Sequence, residues 1–83
     1  MPNSSVGLLP IQRAVAGASP GAWCDGLVSA VRHGVVDVIL LDGSLLRLTG
    51  SAVVSPGEPV AAHPVAEILA VGTSWYSARP IPL

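Results

Sequence analysis

Between Val35 and Leu48 the chain reads VVDVILLDGSLLRL, two apolar runs joined at Asp42-Gly43, and no other stretch of its 83 residues restricts the fold as tightly. An Asp-Gly pair between runs rich in Val, Ile and Leu signals a β-hairpin, because both central residues of a type I′ turn take positive φ, which Gly and Asp tolerate best. The expected connection is therefore a two-residue turn. Along the first strand Val36, Val38 and Leu40 face one way and Asp37, Ile39 and Leu41 the other, since successive strand side chains alternate. A strand apolar on both faces must be covered on both, inside a barrel or sandwich or by a neighbouring chain. Asp37 and Arg47 fall near opposing positions at the open end of the hairpin, placed to pair across the ladder.

Composition carries the same thought further. Apolar residues make up 51% of the chain and charged residues only 11%, with a mean hydropathy of +0.65. A small soluble monomer normally carries charge on about a quarter to a third of its surface, and at this size only about 60 to 65% of the unfolded chain's surface is buried. The excess points to apolar surface buried between subunits, hence a homo-oligomer or a larger protein assembly. A coding bias toward Ala, Val, Gly and Pro is the alternative source of the same composition.

Other partners are disfavoured. No stretch reaches the roughly 18 to 20 uninterrupted apolar residues that span a bilayer. The apolar patch from Val6 to Val15 is broken by Pro10 and Arg13 and lacks a basic segment before it, which argues against a secretory signal. A single cysteine, Cys24, allows no internal disulfide and agrees with a reducing compartment, either cytoplasm or the inside of a phage or bacterial particle. Four Arg and no Lys stand against five acids, and Arg13, Arg32, Arg47 and Arg79 are scattered. Nucleic-acid binding needs a clustered basic face, so it is not the expected partner.

Taken in order, residues 1–18 read as a loose N-terminal arm, with Leu8 to Ala16 either a short strand or a helical turn and Pro10 arguing for an edge or an extended arm. Residues 19–79 read as one small β-domain and residues 80–83 as an extended apolar tail. Gly17 to Gly21 is a turn cluster. From Ala22 to Gly34 a helix opened by Ser19 and Pro20 competes with a strand from Leu27 to Arg32 that turns at His33-Gly34; the β-branched Val28 and Val31 favour the strand. Ser55-Pro56-Gly57-Glu58 signals a type I or II turn. Pro64 to Val71 fits either a helix or a buried strand. In the last strand, Thr73 to Arg79, Trp75, Ser77 and Arg79 lie opposite Tyr76 and Ala78.

Short strands separated by turn signals at intervals of about 8 to 12 residues predict a mainly β chain: a five- or six-stranded barrel or meander of SH3-like or OB-like type, with room for one short helix. Val38, Leu40, Asp42 and Gly43 resemble the strand-turn signature in the first half of the Sm-like motif. The alternative function is a ligand or nucleic-acid binder of Sm-like or OB-like kind, with Arg32, Arg47 and Trp75 as the contact set. The small residue expected soon after the turn is displaced to Gly50, and the RNA-contacting second half has no counterpart.

Candidate chemistry is sparse. Cys24, Asp25, His33 and His63 supply the residue types of a nucleophile and base or of a zinc site, but their spacings match no metal template, and no cofactor, metal or catalytic residue is assigned. Cys24 reads as a small buried hydrophobe and each histidine as a surface or turn residue. Glu67, in an apolar run, reads as a solvated carboxylate on a strand face, with a buried pair at a subunit contact as the alternative. The favoured function is a non-enzymatic structural or interaction module, self-assembling or accessory to a larger complex. Its expected contact residues are Trp75, Tyr76, Ile81 and Leu83, which concentrate large apolar surface near the end of the chain.

Overall fold

A computed structural model describes residues 4–6 and 8–82. In chain order it contains β1 (Ser4–Val6), α1 (Pro10–Ala18), a 3-10 turn (Pro20–Ala22), β2 (Cys24–Arg32), β3 (Val35–Leu40), β4 (Leu45–Gly50), β5 (Pro59–His63), β6 (Ile68–Val71) and β7 (Ser74–Ile81). Six of the strands hydrogen-bond in the order β7-β4-β3-β2-β5-β6, and β6 returns to β7, so the described residues form a closed antiparallel barrel. The fold is thus mainly β with one short helix, the class that the spacing of strand and turn signals predicts. No helix among the described residues is long and apolar enough to cross a membrane.

Closure depends on β7 serving two neighbours. Ser74 to Ser77 pair with β6, whereas Ala78 to Ile81 pair with β4. Pro80 is tolerated because β7 has left β6 by that point, and a residue without an N–H fits best where only one edge is in use. Two glycines let the backbones meet closely. A Cβ at Gly26 would stand 2.5 Å from the Ile39 carbonyl oxygen and 2.8 Å from Val38 Cγ1, and one at Gly50 would overlap the Ser77 carbonyl oxygen.

The barrel core is built by the inward residues of all six barrel strands: Val28, Val36, Val38, Leu48, Val60, Ala62, Leu69 and Ala78. A second, smaller core lies outside the barrel. Ala16 of α1 packs with Ala66 and Ile68, and Leu8, Val15, Trp23 and Trp75 close around them. Helix α1 starts at Pro10, whose missing N–H costs nothing at that position, and the Gln12 carboxamide oxygen accepts the Leu9 N–H at 2.8 Å. The same carboxamide donates through Nε2 to the carbonyls of Ala66 and Glu67, each at 3.0 Å, tying the helix to the β5–β6 turn.

Several expectations need correction. The described part of residues 1–18 is not a loose arm: Ser4–Val6 adds parallel to β7, and α1 covers the outer side of β6 and β7. The boundary at residues 79 and 80 also moves. Pro80 and Ile81 belong to β7, opposite Leu48 and Arg47 of the same chain, while Leu83 lies outside the described residues.

The central hairpin forms, but its turn differs. Gly43 N–H donates to Leu40 O at 2.9 Å, Leu40 N–H donates to Ser44 O at 2.9 Å, and only Gly43, at φ +88°, is left-handed. The connection therefore has three residues, and Asp42 contributes its carboxylate, which accepts from Ser44 N–H at 2.9 Å and from Ser44 Oγ at 2.6 Å. The two-residue turn with both φ positive lies instead at His33 and Gly34, φ +49° and +76°. The strand reading of 22–33 is the correct one. Of 64–71 only Ile68–Val71 is strand; Pro64 to Glu67 make a turn, so Glu67 sits at φ +59°, half-buried, 4.0 Å from Arg79, and not on a strand face.

Candidate interaction face

The outer surface of β2, β3 and β4 holds the most distinctive residues of the barrel, and register puts them there. Val28, Val38 and Leu46 are cross-strand partners on the core side. Their neighbours Leu27, Ile39 and Leu45 are likewise partners, and must face outward because the side-chain period is two. They are 51%, 48% and 39% exposed, and Leu41, next on that face of the chain, is 81% exposed. Three large aliphatic side chains thus form one row across three strands. Beside Leu27 the surface opens into a groove of about 470 Å³ walled by Leu27, Leu41 and Pro59, with Asp25 at its side.

Charges flank the row, of opposite sign at its two ends. At the open end of the hairpin Arg47 grips Asp37 with both prongs, Nε to Oδ1 at 2.7 Å and Nη2 to Oδ2 at 3.0 Å. Arg32 Nη2 stands 3.7 Å from the same carboxylate. A β-bulge accounts for that meeting. The β2–β3 register shifts between Val28 and Ala30, leaving Ser29 as the extra residue, so Ala30 lies opposite Asp37 and Arg32 opposite Val35. Without the extra residue Arg32, an even number of positions after the inward Val28, would point into the barrel. The Arg47 hydrogen bonds hold the Asp37 carboxyl below its ordinary value against the opposing effect of burial, and the positive charges of Arg47 and Arg32 add to the lowering. Two cations share one anion here, whereas the turn end carries Asp25 and Asp42.

The residues singled out from the sequence are dispersed. Trp75 lies under the helical strap, 5.3 Å from Trp23 between ring centroids, with the Arg13 guanidinium 5.8 Å above it. Tyr76 is the register partner of the fully buried Leu69 and takes the core side; Ile81 is half-buried opposite Arg47. Trp75, Tyr76 and Ile81 therefore do not form one surface. Arg32 and Arg47 do come together, but Trp75 is not with them. Of the residues missed as a site, Ile39, Leu41 and Leu45 belong to the hairpin whose two apolar faces called for cover by a barrel, a sandwich or a neighbouring chain, whereas Leu27 joins them only through the β2–β3 register.

Of the candidate chemical set, Cys24 and His63 each have hydrogen-bond partners of their own. Cys24 Sγ donates to Ala22 O at 3.5 Å. His33 is exposed in its turn, as expected, but His63 is wholly buried, contrary to expectation. Ala66 N–H can only donate and Ser19 O can only accept, so His63 Nδ1 accepts from Ala66 at 3.0 Å and Nε2–H donates to Ser19 at 2.8 Å. The ring also packs edge to face with Trp23, 5.1 Å between ring centroids. His63 is a pin between barrel and strap with both nitrogens occupied. Among the described residues no three His, Cys, Asp or Glu side chains gather as metal ligands would. Compared with protein-family models, with curated proteins and with solved structures, the chain matches none. The fold and this face define a class only: a small closed β-barrel with a helical strap on one side and an apolar, charge-flanked sheet face on another.

Proposed function

We propose that the protein is a non-enzymatic structural module that assembles with copies of itself through the outer face of β2–β4. The observation that carries this reading is the cross-strand row Leu27, Ile39 and Leu45, continued by Leu41. Burying a large aliphatic side chain completely is worth about 1.5 to 3 kcal/mol, so covering the exposed half of each is worth about 1 kcal/mol. The strap already covers the outer side of β6 and β7, and the strands of the barrel hydrogen-bond one another in a ring. Association through a face therefore suits this fold better than strand addition at an edge. Light scattering of the purified chain should give a mass above 8.4 kDa at micromolar concentration, and Ile39→Asp should return it to the monomer with its circular dichroism retained. A wild-type monomer would overturn the reading.

The alternative, an Sm-like or OB-like nucleic-acid binder, draws on Arg32 and Arg47. Both are directed at Asp37, which offsets half their charge. Steep salt-dependent gel shifts with RNA or DNA would favour it.

A further inference from the structure

The outer face of β2–β4 has a polarity along the strands that restricts how two copies can meet. Measured along β3, Leu27, Ile39 and Leu45 share one level. Toward the open end of the hairpin come Arg47, level with Asp37, and then Arg32, level with Val35. Toward the turn come Asp25, whose carbonyl accepts the Leu41 N–H at 3.1 Å, and the exposed Asp42. The open end carries Arg32 and Arg47 against Asp37, a surplus of one positive charge, and the turn end carries two carboxylates. The apolar row lies between them.

Two sheet faces packed against each other are related by a two-fold axis in the plane between them. An axis along the strands would lay β2 over β4 and bring like ends together, arginines onto arginines and the carboxylates Asp25 and Asp42 onto each other. An axis across the strands reverses one copy and brings unlike ends together, with β2 over β2 and β4 over β4. Drawn through Ile39, that axis sets each of Leu27, Ile39 and Leu45 against itself. It carries Arg32 of one copy toward Asp25 of the other on the β2 side, beside the groove, and Arg47 toward Asp42 on the β4 side. Like charges placed in contact cost binding and opposite charges fix register, so the charge pattern discriminates between the two axes.

Resting on the reading of this face as a self-association surface, we propose that two copies form an antiparallel two-fold dimer about an axis crossing β2, β3 and β4 at Ile39, with Arg32 facing Asp25 of the second copy at both ends. A charge exchange between two variants tests it. Arg32→Glu and Asp25→Arg, each folded by circular dichroism, are examined by sedimentation velocity alone and as an equimolar mixture. Each variant alone sets like charges at both contacts and should dissociate about tenfold or more readily than wild type. In the mixed dimer Glu at position 32 meets Arg at position 25 and the native pair meets at the other contact, so the mixture should recover dimers close to wild-type strength. If Arg32→Glu fails to fold beside Asp37, Arg32→Gln takes its place. It should weaken the dimer and flatten its salt dependence. Single variants that dimerise like wild type, a mixture no stronger than the singles, or an Arg32→Gln dimer with unchanged strength and salt dependence would overturn the antiparallel arrangement. The larger wild-type mass would then still support self-association through some other contact. A monomeric wild type would overturn both.

Discussion

Replacing Gly26 by Ala adds one methyl group where β2 runs close against β3, and the outcome follows from what that methyl meets. Its position lies 2.5 Å from the Ile39 carbonyl oxygen and 2.8 Å from Val38 Cγ1. A flexible side chain could give way, but the oxygen is backbone within the central strand, and moving it shifts the Leu27–Ile39 and Val28–Val38 pairs. Overpacking of this kind costs about 1 to 3 kcal/mol, and 1 kcal/mol is worth about 4 to 8 °C in a domain of this size. Gly26→Ala should therefore lower the melting temperature by about 5 to 20 °C in a calorimetric or circular-dichroism scan. Gly17→Ala is the control, since a Cβ there has nothing within 4 Å in helix α1. It should stabilise by a few tenths to about 1 kcal/mol through helix propensity. The same chemical change thus has opposite signs at two positions. Gly26→Ala melting at or above wild type would show that β2 and β3 do not meet as described.

Asp37→Asn removes a carboxyl held below its ordinary value of 3.8. Its contribution is present above that pH and lost as acid titrates the folded form, so wild-type melting temperature should fall below about pH 4 more steeply than that of the variant. Gly43→Val places a β-branched residue at φ +88° and should destabilise by about 1 kcal/mol or more in urea unfolding, an unchanged midpoint contradicting the left-handed turn. His63→Leu strands the Ala66 N–H and the Ser19 carbonyl, at about 1 to 3 kcal/mol for each group left unpaired. It should speed hydrogen exchange in α1 before the barrel opens, and unaltered exchange there would count against the pin.

Much of the barrel was legible because β-structure writes itself locally. The alternation in Val35 to Leu48, the positive-φ positions at glycines, and the Pro56-Gly57 turn, where Gly57 has φ +88°, are short-range signals. The Asp37–Arg47 pair is expected near opposing positions, but a two-residue turn would set Asp37 opposite Leu48; the third loop residue shifts the register by one and brings Arg47 opposite Asp37. What stayed hidden depends on distant residues. Leu8 to Ala16 reads as a short strand or a helical turn, with Pro10 arguing for an edge or an arm, until Gln12 finds the Ala66 and Glu67 carbonyls across the fold. His63 reads as a surface residue until Ser19 and Ala66 occupy both its nitrogens. The bulge at Ser29, which has no residue signature, decides that Arg32 faces outward and so creates the charge pattern of the candidate face.

The most direct test of that face is a cross-link at its centre. Packed sheets lie about 10 Å apart, so in a Cys24→Ser background two Ile39→Cys thiols on the proposed axis fall within reach of a bismaleimide of that span. Rapid conversion to a species of twice 8.4 kDa is the expected result, with Val53→Cys, 84% exposed and off the face, remaining single under the same conditions. Ile39→Cys that cross-links no faster than Val53→Cys would contradict the assembly of this protein through β2–β4.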